Sequence, residues 1–215
     1  MTISHHPDVA TLMSCAAGSQ PESLAAVVAS HISMCPQCAA EVQKLEQIGV
    51  ALFDAIATAP VVREAPVVAA RALEADEDGS GGRPAEPGDV PAPLVSLVGR
   101  SLDEIAWKWL GPGVWHYPIP LSRRAAGDLR LYKLAPGQAV PEHGHGGEEL
   151  TLLLRGSYRD EMGEFRTGDV ADLDDEVEHR PIADATAGCI CLVAREKRAR
   201  FKGLLARFVQ LVTGI

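Results

Sequence analysis

The chain has 215 residues, of which 47% are hydrophobic and 23% charged. This exceeds one average domain, falls short of two large ones, and excludes disorder over the whole length. A net charge of −9 and a pI near 5.2 exclude a general phosphate-backbone binder and favour a protein partner with a basic surface over DNA.

No apolar run is long enough to span a bilayer, so no membrane segment is expected. The opening Met1–Pro7, with its paired histidines and no apolar stretch, does not read as a signal peptide. A cytoplasmic location is expected. In that compartment the five cysteines stay mostly reduced, and closely spaced pairs point to metal or redox chemistry more than to structural disulfides.

In chain order, residues 8–16 read as a short helix that ends at Gly18. Residues 20–34 form a second helix, with Pro21 at its start and apolar residues at helical spacing. A third runs from Pro36 to about Ala57, its apolar positions following a 3.6-residue period, and residues 66–74 suggest one more short helix. From Glu74 to Pro93 the sequence is acidic, then rich in Gly and Pro, and cannot bury enough surface to offset its ordering entropy.

Beyond this tether the pattern changes to strands with turn punctuation: 128–134, 149–158, 169–173, 179–182 and 189–194. Short strands without long intervening helices imply a sandwich or small barrel. The expected organisation is therefore multidomain, α plus all-β: helices over 1–74, a flexible linker over 75–93, and a β-barrel over 94–215.

Two constellations carry chemistry. The first is His31-x3-Cys35-x2-Cys38. Zinc favours thiolate and imidazole donors in a tetrahedron, and Pro36 suits the first position of a new helix but not a helix interior. His31 is thus expected in the last turn of one helix and Cys38 in the first turn of the next, with a metal clamping the corner. A fourth donor is needed, and His5, His6 and Cys15 are all available. The competing reading, a redox dithiol, lacks the βαβ context such a pair requires.

The second constellation is Gly137-x5-His143-x-His145-x3-Glu149-x6-Gly156, which matches the first cupin motif at every spacing. Side chains two apart share a strand face, so His143 and His145 point together into the barrel, and Glu149 returns to the same interior after a glycine turn. His179 is the fourth candidate, although Asp174-Asp175-Glu176 and Ala183 depart from the second cupin motif around it. Three histidines and a glutamate suit zinc, iron, manganese or nickel. Cys189 and Cys191, on one strand face, read as core residues unless they lie near that metal, in which case they could be redox-active. The run Arg195–Arg200 reads as a solvated strand end, and the apolar Phe201–Ile215 as packing on the barrel or helping a dimer form.

With both arrays located, the chain resembles the ChrR-type zinc-binding anti-sigma factors. The likeness rests on Met1-Thr-Ile-Ser-His5-His6, His31-x3-Cys35-x2-Cys38, Pro141-Glu-His-Gly-His145, Glu149-Leu-Thr151, Glu178-His179 and Cys189-Ile-Cys191. It implies a helical module that binds a group IV (extracytoplasmic-function, ECF) sigma factor and a cupin (jelly-roll) half that permits release under an oxidative signal such as singlet oxygen. It also implies two zinc ions, one held by His6, His31, Cys35 and Cys38, the other by His143, His145, Glu149 and His179. An apolar face involving Leu24, Val27, Val28 and the third helix is expected to meet sigma. The main rivals are a metal-dependent cupin dioxygenase and a small-ligand-binding cupin.

Overall fold

The structure, a computed structural model, describes residues 2–57, 88–197 and 200–201. The expected helix over 66–74, most of the expected linker and the segment after residue 201 lie outside these residues.

Three helices come first. α1 (Val9–Ala16) begins where the Asp8 carboxylate accepts the Thr11 backbone N–H at 2.6 Å, satisfying one of the unpaired donors of the first turn. α2 (Glu22–Met34) and α3 (Pro36–Asp54) meet at Cys35 and turn by 118° there. Proline disfavours helical geometry in the residue before it, so Pro36 drives Cys35 into an extended conformation that ends one helix and opens the next. α3 stops at Asp54, short of the expected Ala57. No single described helix is long and apolar enough to cross a membrane.

The second half opens with a short 3-10 turn (Ala92–Leu94), α4 (Val95–Val98) and a second 3-10 turn (Leu102–Glu104). Among the described residues eleven strands follow: β1 (Lys108–Gly111), β2 (Val114–Pro118), β3 (Asp128–Leu134), β4 (His143–Gly144), β5 (Glu149–Asp160), β6 (Gly163–Arg166), β7 (Val170–Leu173), β8 (Glu178–His179), β9 (Ile182–Ala183), β10 (Cys189–Arg195) and β11 (Arg200–Phe201). They pair antiparallel, in a large sheet ordered β1-β2-β3-β10-β5-β6, with β7 and β9 also on β5, and a small sheet ordered β11-β4-β8. The expected strand over 179–182 is split between β8 and β9.

The two faces of the large sheet are both covered, which explains why every residue of β10 is buried. Tyr132, Leu153, Tyr158, Cys189, Cys191 and Val193 fill the barrel interior. On the opposite face Leu131, Leu150, Leu152, Ile190 and Leu192 join Leu24, Val27 and Val28 of α2 in one continuous core. The helices thus obtain their hydrophobic stabilisation from the barrel, at about 1.5–3 kcal/mol for each fully buried aliphatic side chain.

This corrects the expected sigma-facing surface. Leu24, Val27 and Val28 are completely buried against the sheet, because the amphipathic face of α2 has the barrel as its partner. Among the described residues, the exposed apolar side chains of the helical half lie on α1 (Val9, Met13) and on α3 and just past its end, among them Ile48, Leu52, Phe53 and Ile56, with Phe53 74% exposed.

Candidate metal centres

The helical corner brings His6, His31, Cys35 and Cys38 together, with one donor atom from each lying within 4.8 Å of all the others. His31 occupies the last turn of α2, Cys35 the junction and Cys38 the first turn of α3, as the spacing predicts. His31 directs Nδ1 at the Gly168 carbonyl oxygen, 2.9 Å away, which leaves Nε2 aimed at Cys38 Sγ at 3.3 Å. His6 Nδ1 lies 3.3 Å from Cys38 Sγ and 3.5 Å from Cys35 Sγ.

Zinc bonds of about 2.3 Å to sulfur and 2.0–2.1 Å to nitrogen give a tetrahedral S···N edge of about 3.5 Å, so these donors fit zinc with little movement. Of the three available fourth donors, geometry selects His6. His5 turns its ring onto Asp169, with Nδ1 3.3 Å from Oδ2, and Cys15 stands outside the group. Burial, followed by the neighbouring Cys35, pushes the Cys38 thiol up to about 12 in the metal-free state, and burial lowers the His31 pKa. An incoming cation would therefore have to displace a proton from Cys38.

The barrel brings His143, His145, Glu149 and His179 together within the same limit, and all four are buried. β4 places His143 directly opposite His179 on β8, and the three imidazole rings lie 4.6–5.3 Å apart, centroid to centroid. The Pro141 carbonyl oxygen lies 2.9 Å from His143 Nδ1, and the Asp160 carboxylate lies 2.9 Å from His179 Nδ1, so each ring presents Nε2 to the interior.

His179 Nε2 and His145 Nε2 are buried without a hydrogen-bond partner among the described residues, while His145 Nδ1 lies 3.1 Å from Glu149 Oε2. An unpaired buried polar atom costs about 1–3 kcal/mol. Several converging on one point are what a cation site presents. Burial lowers the His143 pKa to about 4, so its ring is neutral and its lone pair available at neutral pH. Burial alone would raise the Glu149 carboxyl, but Arg195 and the two nearby histidines outweigh it and hold the group well below the usual carboxylate range.

Arg195 was missed, and the expected solvated strand end is corrected at this residue. Arg195 is buried as the last residue of β10, directly opposite Glu149, with Nε bonded to Glu149 Oε2 and Nη1 3.2 Å from the Tyr132 hydroxyl. Glu196 and Lys197 are exposed as expected. Parity offered the signal: Arg195 is two steps beyond Val193 and four beyond Cys191, on the interior face. Asp160, which holds His179, had no signal in the motif. Cys189 and Cys191 are buried in the interior core, where the Cys191 thiol pKa is raised well above its ordinary value by its hydrogen bond with Cys189 and by burial.

Residues 97–199 match the family model of the ChrR cupin-like domain. The curated anti-sigma-E factor ChrR of Cereibacter sphaeroides is 40% identical over 212 residues, covering 98% of each chain. In the crystal structure of Rhodobacter sphaeroides SigE in complex with the anti-sigma ChrR, a chain 39% identical to this one is matched with a TM-score of 0.75, covering 90% of this chain and 100% of that one. End-to-end identity at this level, joined to a matching fold, makes this chain a member of the ChrR family of anti-sigma factors.

Proposed function

We propose that this protein binds a group IV (ECF) sigma factor in the cytoplasm, keeps it from core RNA polymerase, and releases it under an oxidative signal, acting as a regulator and not as an enzyme. One observation carries the reading. A closed thiolate–imidazole cluster (His6, His31, Cys35, Cys38) sits at a helix corner in a chain that aligns over 98% of its length with a curated anti-sigma factor. The ChrR structure it resembles holds SigE.

In this reading each donor set holds one zinc ion, and the barrel set also suits iron, manganese or nickel. Zinc in the first set supplies folding energy by tying α2 to α3, since metal binding at a structural site is coupled to folding. The thiols of Cys35 and Cys38 give up their protons to the solvent, while the Gly168 carbonyl fixes the His31 tautomer. The exposed apolar residues of α3, with Val9 and Met13 of α1, then form the face that sigma covers.

The barrel is the sensing half. Its β10 and β5 support α2, so a chemical change at the barrel's donor set, or at nearby Cys189 and Cys191, alters the surface on which the helices rest. In this reading the functional division lies between a helical module over 1–74 and a barrel module over 94–215.

Co-expression with the sigma factor encoded in the same genome tests the reading. A stoichiometric complex that co-purifies with the wild-type chain, and is lost with Cys35→Ser/Cys38→Ser, is expected. A complex retained by the double variant, or none with the wild type, would refute it.

A further inference from the structure

The first metal cluster is not completed by the helices alone. His6 lies on an extended N-terminal strap, residues 3–7, which belongs to neither α2 nor α3. That strap is held by the barrel. The Asp169 carboxylate, only 1% exposed, accepts the backbone N–H groups of Ser4 at 2.7 Å and His5 at 3.1 Å through Oδ1. Through Oδ2 it accepts the Arg166 N–H at 2.8 Å and meets His5 Nδ1 at 3.3 Å.

The strap continues along β7, where the His5 carbonyl accepts the Val170 N–H at 3.1 Å and Asp172 accepts the Asp8 N–H at 3.0 Å. Gly168 completes the seat. A Cβ there would lie 2.7 Å from Ile3 Cγ1, and the φ of +95° already disfavours any side chain. The Gly168 carbonyl is also the acceptor that orients His31.

We propose that Asp169 is a positioning residue for the first metal centre: it registers the strap on the barrel edge so that His6 Nδ1 meets the cluster formed by His31, Cys35 and Cys38. This rests on the reading that the cluster holds an ion. A carboxylate that collects two consecutive backbone amides fixes the direction of the chain between them, and His6 is the next residue along. Together with Gly168, Asp169 lets one barrel turn set two of the four donors. The affinity of the helical corner for its ion thus depends on whether the barrel edge is in place.

The test uses the full chain loaded with cobalt(II) at both sites and challenged with a chelator. The thiolate-to-cobalt absorption reports the first site, and the sulfur-free barrel site serves as an internal control. Asp169→Asn and Ser4→Pro, the latter removing the strap's N–H donor together with the Ser4 hydroxyl that also reaches Asp169, should each speed loss of the thiolate-bound ion by about 10–100-fold while the barrel ion leaves at its wild-type rate. Their cobalt spectra should resemble that of His6→Ala. In the His6→Ala background, Asp169→Asn should add little, because both act through one donor.

Wild-type release from both variants would overturn the proposal. So would equal acceleration at both sites, or an undiminished effect of Asp169→Asn without His6. A wild-type chain with no thiolate-bound metal would instead defeat the underlying reading of the cluster.

Discussion

The two donor clusters are built from different chemistry and supported in different ways. The helical one combines two sulfurs with two imidazoles, drawn from a strap, a helix end and a helix start. The barrel one has three imidazoles and a carboxylate on strands and their connecting turns, three of the four donors being braced by a fixed partner: Pro141 for His143, Asp160 for His179, Arg195 for Glu149. Without an ion the helical corner keeps the Cys38 thiol protonated, whereas the barrel already presents neutral His143 and an ionised Glu149. The first cluster would therefore need a bound cation to draw out the Cys38 proton, while the second is preorganised by the sheet.

If that contrast is right, the largest effect comes from the thiolates. Cys35→Ser/Cys38→Ser should remove one of two ions per chain and weaken sigma binding by more than about 100-fold, because the binding free energy of a structural zinc, about 10–16 kcal/mol, is also folding energy. Elemental analysis and calorimetric titration with the sigma factor would measure both. His143→Ala should instead remove only the barrel ion and leave sigma binding within a few-fold of wild type. Induction by oxidant, followed with a reporter promoter, should be lost. A His143→Ala variant that no longer binds sigma would erase the contrast.

Smaller effects sharpen it. Removing one partner of a buried ion pair leaves the other charge uncompensated, so Arg195→Met should cost about 3–5 kcal/mol in reversible unfolding. Leu24→Ala, which opens a cavity between helix and barrel, should cost about 2–5 kcal/mol and lower the unfolding of both halves together. Separate transitions, with the barrel unaffected, would contradict the shared core.

The smallest effect is in proton release. At pH 7 zinc binding at the helical site should release the Cys38 proton, so its affinity falls as pH drops, while the barrel site releases fewer. Titrations in buffers of different ionisation enthalpy read this difference.

Much of this was legible in the sequence where chemistry and local geometry coincide. Pro36 marks the corner, the His31-x3-Cys35-x2-Cys38 spacing puts one donor on each side of it and one at the junction, and the alternation in His143-x-His145 follows from the pleat. The choice of His6 over His5 and Cys15 needed the resemblance, because nothing local reveals that Asp169, more than 160 residues away, captures His5. Burial of Leu24, Val27 and Val28 against the sheet was equally hidden: an amphipathic pattern states that a face is covered but not by what. The β1–β2 hairpin was overlooked because exposed Trp109, half-buried Trp115 and His116 and the Gly111-Pro112-Gly113 turn break any clean alternation. Arg195 was misread since a charged run resembles solvent-facing sequence until its partner Glu149 is set opposite it.

X-ray absorption at the zinc edge of the purified full-length chain tests the central claim most directly. Two sulfurs and two nitrogens at one site, with three nitrogens and one oxygen at the other, average to one sulfur and three lighter donors per zinc. The account predicts that shell, with sulfur at about 2.3 Å and nitrogen or oxygen at about 2.0–2.2 Å. A fully loaded protein whose zinc shell contains no sulfur would contradict it.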